Sequence, residues 1–157
     1  MADLFRPHGA GEGRLFSIEH FQNVKRALRP GGLFCQWLPA HQLNKKQFET
    51  IAATFRKVFP NTLVLNGNEL SKSPTIGLCG WQNDAKWETP DLVEKIGAIR
   101  SQKGIKDVHA LNAQRLIVGV LKDEAYPSAP INTLDNALLE IEAGKFWVLK
   151  DLSLIHI

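Results

Sequence analysis

Long apolar runs are missing from this sequence: none approaches the roughly 18 residues that a membrane-crossing helix requires. Cysteine is scarce, with two in 157 residues. Cys35 and Cys79 stand far apart inside apolar stretches, which excludes a disulfide framework. They read as small buried hydrophobes in a protein of a reducing compartment. The five histidines (8, 20, 41, 109 and 156) show no His-x-x-x-His or Cys-x-x-Cys spacing, so no metal centre is expected. An excess of one charge is lacking too: 19 Lys and Arg face 16 Asp and Glu, a net charge of +3. These cations are scattered over predicted helices and form no patch interleaved with aromatics, which argues against nucleic acid as a partner. Met1-Ala2-Asp3 does not open a signal peptide. What is present, 44% hydrophobic and 22% charged residues, is the composition of a soluble globular domain.

Both ends of the sequence read as cuts. Residues 3–7 look like a strand end and the loop after it, without the strand, so upstream sequence is expected. Residues 152–157 resemble the translation of a transposon-end adaptor used in sequencing libraries and are assigned no biological role.

Between these ends the periodicity alternates. Leu15, Ile18, Phe21, Val24 and Leu28 fall at helical spacing. Ser17 is placed to cap that helix, and Pro30-Gly31-Gly32 to stop it. Residues 33–38 are apolar on both parities apart from Gln36, the pattern of a strand buried on both faces in a parallel sheet. Asn44 and Gln47 make a capping-box start. Phe48, Ile51, Ala52, Phe55 and Phe59 then line one helix face up to Pro60. Residues 62–65 and 75–80 read as two more strands, joined by a loop too short for a crossover helix and hence antiparallel. Strand and helix in alternation predict a doubly wound α/β domain. Beyond residue 81, helices are expected from Thr89-Pro90-Asp91 and over 108–122, with a rigid linker at 126–130.

Three stretches carry a family likeness. Asp3-Leu4-Phe5-Arg6-Pro7-His8-Gly9, residues 15–21, and the run from Leu28 to Pro39 with its Arg-Pro-Gly-Gly turn and Gln-Trp-Leu-Pro strand end resemble the spermidine synthase (polyamine aminopropyltransferase) family. The likeness is closest to its divergent bacterial branch, often fused to membrane segments. Residues 130–136 are similar to a turn that follows the domain in that branch. The resemblance implies a Rossmann-like, class I S-adenosylmethionine-dependent methyltransferase fold with strand order three-two-one-four-five-seven-six. Residues 1–81 would supply its C-terminal half, from a stub of strand four to strand seven, and 82–151 a helical C-terminal extension.

The resemblance also assigns roles. Asp3 matches the family's proposed general base, which takes a proton from the attacking amine. An ammonium has no free lone pair, so a carboxylate within hydrogen-bond reach both orients and deprotonates it. Arg6, with His8 behind it, stands where the family keeps a second acid that holds a cationic diamine. At an effective dielectric of about 20, a like charge roughly 4 Å away costs about 4 kcal/mol, so putrescine is disfavoured and an anionic acceptor, or no acceptor at all, fits better. Gln36, at a buried strand end, reads equally as a substrate contact and as an internally satisfied amide. Trp37 reads as packing, and His41 and Gln42 as loop residues within reach of a site.

The glycine-rich nucleotide turn has no match. Gly9-Ala10-Gly11-Glu12-Gly13 does not follow a strand and open a helix in the required order. The resemblance thus implies a transferase acting with decarboxylated S-adenosylmethionine or S-adenosylmethionine, whose nucleotide site lies in a missing N-terminal half. A methyltransferase on the same sheet, or a degenerate nucleotide-binding domain of a membrane-associated protein, are the alternatives. The family likeness allows a homodimer, membrane segments upstream, and a cytoplasmic location at the inner face of a bacterial membrane. Residues 1–151 alone are expected neither to bind S-adenosyl nucleotides nor to fold cooperatively.

Overall fold

The structure is a computed structural model and describes residues 11–67, 74–81, 94, 117–121 and 125–146. After a 3-10 turn at Gly13–Phe16, helix α1 runs over Ile18–Ala27. Its cap is the expected one, with the Ser17 hydroxyl accepting from the His20 amide at 3.2 Å. The turn out of α1 places Gly31 at φ 74°, where a Cβ would be strained. Strand β1 (Leu33–Pro39) follows, then helix α2 (Lys45–Val58), strands β2 (Thr62–Asn66) and β3 (Thr75–Trp81). At the start of α2 the capping box is complete: the Gln47 amide donates to Asn44 Oδ1 at 2.9 Å, and the Asn44 amide to Gln47 Oε1 at 3.0 Å.

The sheet has the order β1-β3-β2-β4, where β4 is Ile117–Val120. Every ladder in it is antiparallel, although residues 33–38 by themselves read as a strand of a parallel sheet. The reason lies in β3. Strands β1 and β2, linked through crossover helix α2, do point the same way, but β3 returns between them and faces each in the opposite sense. The expected antiparallel pairing of β2 with β3 is observed.

Two expectations are corrected. Strand β1 is not buried on both faces: Phe34, Gln36 and Leu38 are buried, Cys35 and Trp37 half-buried, and Leu33 is 51% exposed. The two parities look alike in sequence because both faces carry apolar residues, but among the described residues only one is covered by helices. A helix over 108–122 is also overturned where it can be seen, since residues 117–120 form β4. Ile-Val-Gly-Val suits a pleated ladder, with β-branched side chains and a glycine that weakens a helix. The expected helix at Thr89-Pro90-Asp91 lies outside the described residues.

The core sits between the sheet and the two helices. Phe34, Leu38 and Leu78 from the sheet meet Phe21 of α1 and Ile51, Ala52 and Phe55 of α2, with Phe59 just after it. Phe55 is central, edge-on to Phe21 at 5.1 Å between centroids and beside Phe59 at 5.0 Å. Gly80 lets the helix layer approach: a Cβ there would stand 2.5 Å from Phe59 Cβ. The far ends of the helices are tied by Lys25 Nζ, which donates to the Val58 carbonyl at 3.0 Å. On the other face, Leu63 and Trp81 pack with Leu65 and Cys79.

The C-terminal described segment is bound to this unit through Asn132, which is 1% exposed. Its amide donates to Thr54 Oγ1 at 2.9 Å and its Nδ2 to the Gly13 carbonyl at 3.1 Å. Its carbonyl accepts from the Ile18 amide, and its Oδ1 from the Leu139 amide at 3.3 Å. Leu139, in the first turn of helix α3 (Leu138–Phe146), fills the same core. Thr133 and Asn136 exchange reciprocal amide-to-side-chain bonds and form the turn between.

Candidate functional site

Because β1 and β2 run in the same direction, their carboxyl ends emerge at one edge of the sheet, together with the start of β3. That is where an open α/β sheet binds its ligands. The edge is built from Pro39 and a 3-10 turn at Ala40–Gln42, from Asn66 and Gly67 after β2, and from Pro74 and Thr75 entering β3. Pro39 pairs with Thr75 in the ladder, and the Gly67 amide donates to the Thr75 carbonyl at 2.9 Å. The Trp37 indole lies across this corner, close enough that a Cβ on Gly67 or Gly77 would meet it at 2.6 or 3.0 Å. Its expected packing role is therefore visible, and the two glycines that make room for it carry no signal in the sequence.

His41 bridges the two loops. Its Nδ1 lies 3.3 Å from the Pro74 carbonyl, which can only accept, so Nδ1 carries the hydrogen. Nε2 then accepts from Gln42 Nε2 at 3.1 Å. The pair is exposed at the rim of the edge and is held in place by backbone it did not have to share.

Gln36 points the other way. It is 0% exposed, on the helix-facing side of β1, and its Nε2 donates to the Trp37 carbonyl at 3.1 Å. Asp3, Arg6 and His8 lie outside the described residues, so the expected base and the cations beside it have no geometry to report.

Where α1 begins, three backbone donors are already engaged within the protein. The Ile18 amide is taken by the Asn132 carbonyl, the His20 amide by Ser17, and the Leu134 amide across from them by Glu19 Oε2. The first and last of these bonds tie the start of α1 to the segment around Asn132. Among the described residues, no group of three or more His, Cys, Asp or Glu side chains is disposed to hold a metal. No helix among them is long and apolar enough to cross a membrane.

Beside the first turn of α2 a cavity of about 410 Å³ is lined by Lys46, Glu49 and residues 126–130. Tyr126 meets Phe48 edge-on there, and burial, with Glu49 nearby, pushes its phenol pKa up. Residues 126–130, expected as a rigid linker, form one wall of that cavity.

The sheet also brings together two residues that the sequence keeps apart. Cys35 and Cys79 are direct partners in the β1–β3 ladder. A hydrogen bond from the Cys35 thiol to Cys79 raises the Cys35 pKa, with burial adding to it, and lowers that of Cys79. Their separation of 44 positions hides this, and only a correct strand register would have exposed it.

Comparison with known families gives one match: residues 1–66 fit the model of the spermine/spermidine synthase domain, part of the chain. No curated protein and no solved structure matches the sequence.

Proposed function

We propose, from the match of residues 1–66 to the spermine/spermidine synthase domain, that the protein is a transferase of aminopropyltransferase type, working with decarboxylated S-adenosylmethionine. The observation that carries this reading is the domain match, which spans the Asp3 loop, α1, β1, α2 and β2. The sheet agrees with it. Strand order β1-β3-β2, with β1 and β2 pointing alike, supports the reading because it is compatible with the five-seven-six order of a class I methyltransferase fold.

In this reading Asp3 is the general base, taking the proton from the amine nitrogen as it attacks. The carboxyl edge described above, with His41 on its rim, forms the neighbouring wall of the acceptor site. Gln36 supports the end of β1 from within. The cofactor supplies the electrophilic carbon; the described residues offer no seat for it, and no step is assigned to them through it. Arg6 favours an acceptor with a negative charge over a simple diamine, because a cation at that position repels an ammonium.

The test is a transfer assay on the natural full-length product carrying these residues. It is supplied with decarboxylated S-adenosylmethionine and either putrescine or amines that also bear a carboxylate. Transfer to the anionic amines, reduced by a hundredfold or so in Asp3→Asn, supports the reading, since general bases contribute about 10²–10⁴-fold. Equal rates for the variant and the parent would remove Asp3 from the role. Methyl transfer from S-adenosylmethionine instead would move the protein to the methyltransferase reading.

A further inference from the structure

We propose that Cys35 and Cys79 form a site of reversible oxidation, in which a hydroperoxide converts the two thiols into a disulfide joining β1 to β3. The pair sits on the sheet face opposite α1 and α2, each cysteine half-buried and both free thiols. They face one another directly across an antiparallel ladder. Cross-strand partners hold their Cβ atoms about 4.5–5.5 Å apart, and a disulfide needs about 3.5–4.5 Å. A small inward shift of one strand closes that gap.

The local chemistry divides the work between the two sulfurs. Cys35 donates its hydrogen to Cys79, which favours the thiolate on Cys79 and keeps Cys35 protonated. The Cys79 thiolate attacks one oxygen of the hydroperoxide, and the O–O bond breaks. The other oxygen leaves with a proton as an alcohol, or as water from hydrogen peroxide. Cys79 is then a sulfenic acid. Cys35 loses its proton and attacks the Cys79 sulfur; the S–S bond forms, the S–O bond breaks, and hydroxide leaves with that proton as water. The protein gives up two hydrogens and two electrons, and the hydroperoxide is reduced. Neither thiol belongs to the carboxyl edge, so the site is separate from the proposed transfer chemistry.

The experiment is to treat the reduced natural full-length product carrying these residues with hydrogen peroxide in native buffer and in urea, then alkylate, weigh and map it. Expected is a loss of two hydrogens, a peptide cross-linked between Cys35 and Cys79, reversal by dithiothreitol, and formation at least several-fold faster in native buffer than in urea. Cys35→Ser should leave Cys79 as a sulfenic acid that a dione probe traps, whereas Cys79→Ser should slow the reaction of Cys35. The proposal is overturned if both thiols remain open to alkylation, or if they pass to sulfinic acids without a cross-link. Cross-linking between chains, or at the same rate in urea, overturns it as well.

Discussion

Asn132 makes hydrogen bonds with both ends of its side chain and both backbone groups, and all four partners lie in other elements. Replacing it by alanine leaves the Gly13 carbonyl and the Leu139 amide buried without their partner. An orphaned buried group costs about 1–3 kcal/mol, so Asn132→Ala is expected to lower the local opening energy by about 3 kcal/mol. The measurement is hydrogen exchange at Leu139 and Ile18, whose protection should fall together; unchanged protection at both would refute the role. His20 makes a second prediction at this scale. Burial holds its imidazole pKa below the ordinary value, so the unfolded chain takes up a proton more readily than the folded one. Its contribution is full above about pH 6.5 and is lost as pH falls through the folded value. Protection of the α1 amides should therefore decline on acidification below about pH 6.5, and His20→Phe should flatten that decline.

At the scale of elements, the helices were legible and the sheet was only half so. Ser17, Asn44 and Gln47 announce helix starts because capping is local chemistry, complete within three residues. The apolar face of α2 was equally plain, with Ile51, Ala52 and Phe55 buried as their spacing requires. Strand pairing is not local. Nothing in residues 33–38 says that residues 75–81 will lie beside them, and the Cys35–Cys79 opposition went unseen for that reason. Residues 117–120 were lost to a helical pattern because their true partner, β2, stands more than fifty positions away. The site was less legible still: Gln36 could be weighed as a contact or an internal amide, and its place on the helix-facing side of β1 follows from the register alone. Gly80 tests the packing of these layers. An added methyl would press on Phe59 and Phe55 with little room to retreat, so Gly80→Ala should cost about 1–3 kcal/mol. The readout is faster amide exchange in β3 and α2; an unaltered pattern would show that the layers can part freely.

Taken as a whole, the described structure is a sheet with one helical face and one thinly covered face, fastened by a segment from its far end. Leu33 and the apolar residues beside it lie along strand β1, an edge in the described sheet. Unpaired edges with apolar side chains favour association. The 157-residue chain in isolation is therefore expected to show a broad thermal transition, without an upward shift when S-adenosyl nucleotides are added. Calorimetry decides this: a sharp transition that rises with nucleotide would establish a self-sufficient, ligand-competent fold. The fastening through Asn132 also has a consequence in time. Gly13 and Asn132 are 119 positions apart, and a ribosome adding about 5–20 residues each second needs on the order of ten seconds to bridge them. Throughout that interval the start of α1 waits beside an empty place in the core. The core around Phe21, Phe34 and Phe55 is therefore completed only after Asn132 and Leu139 have been made.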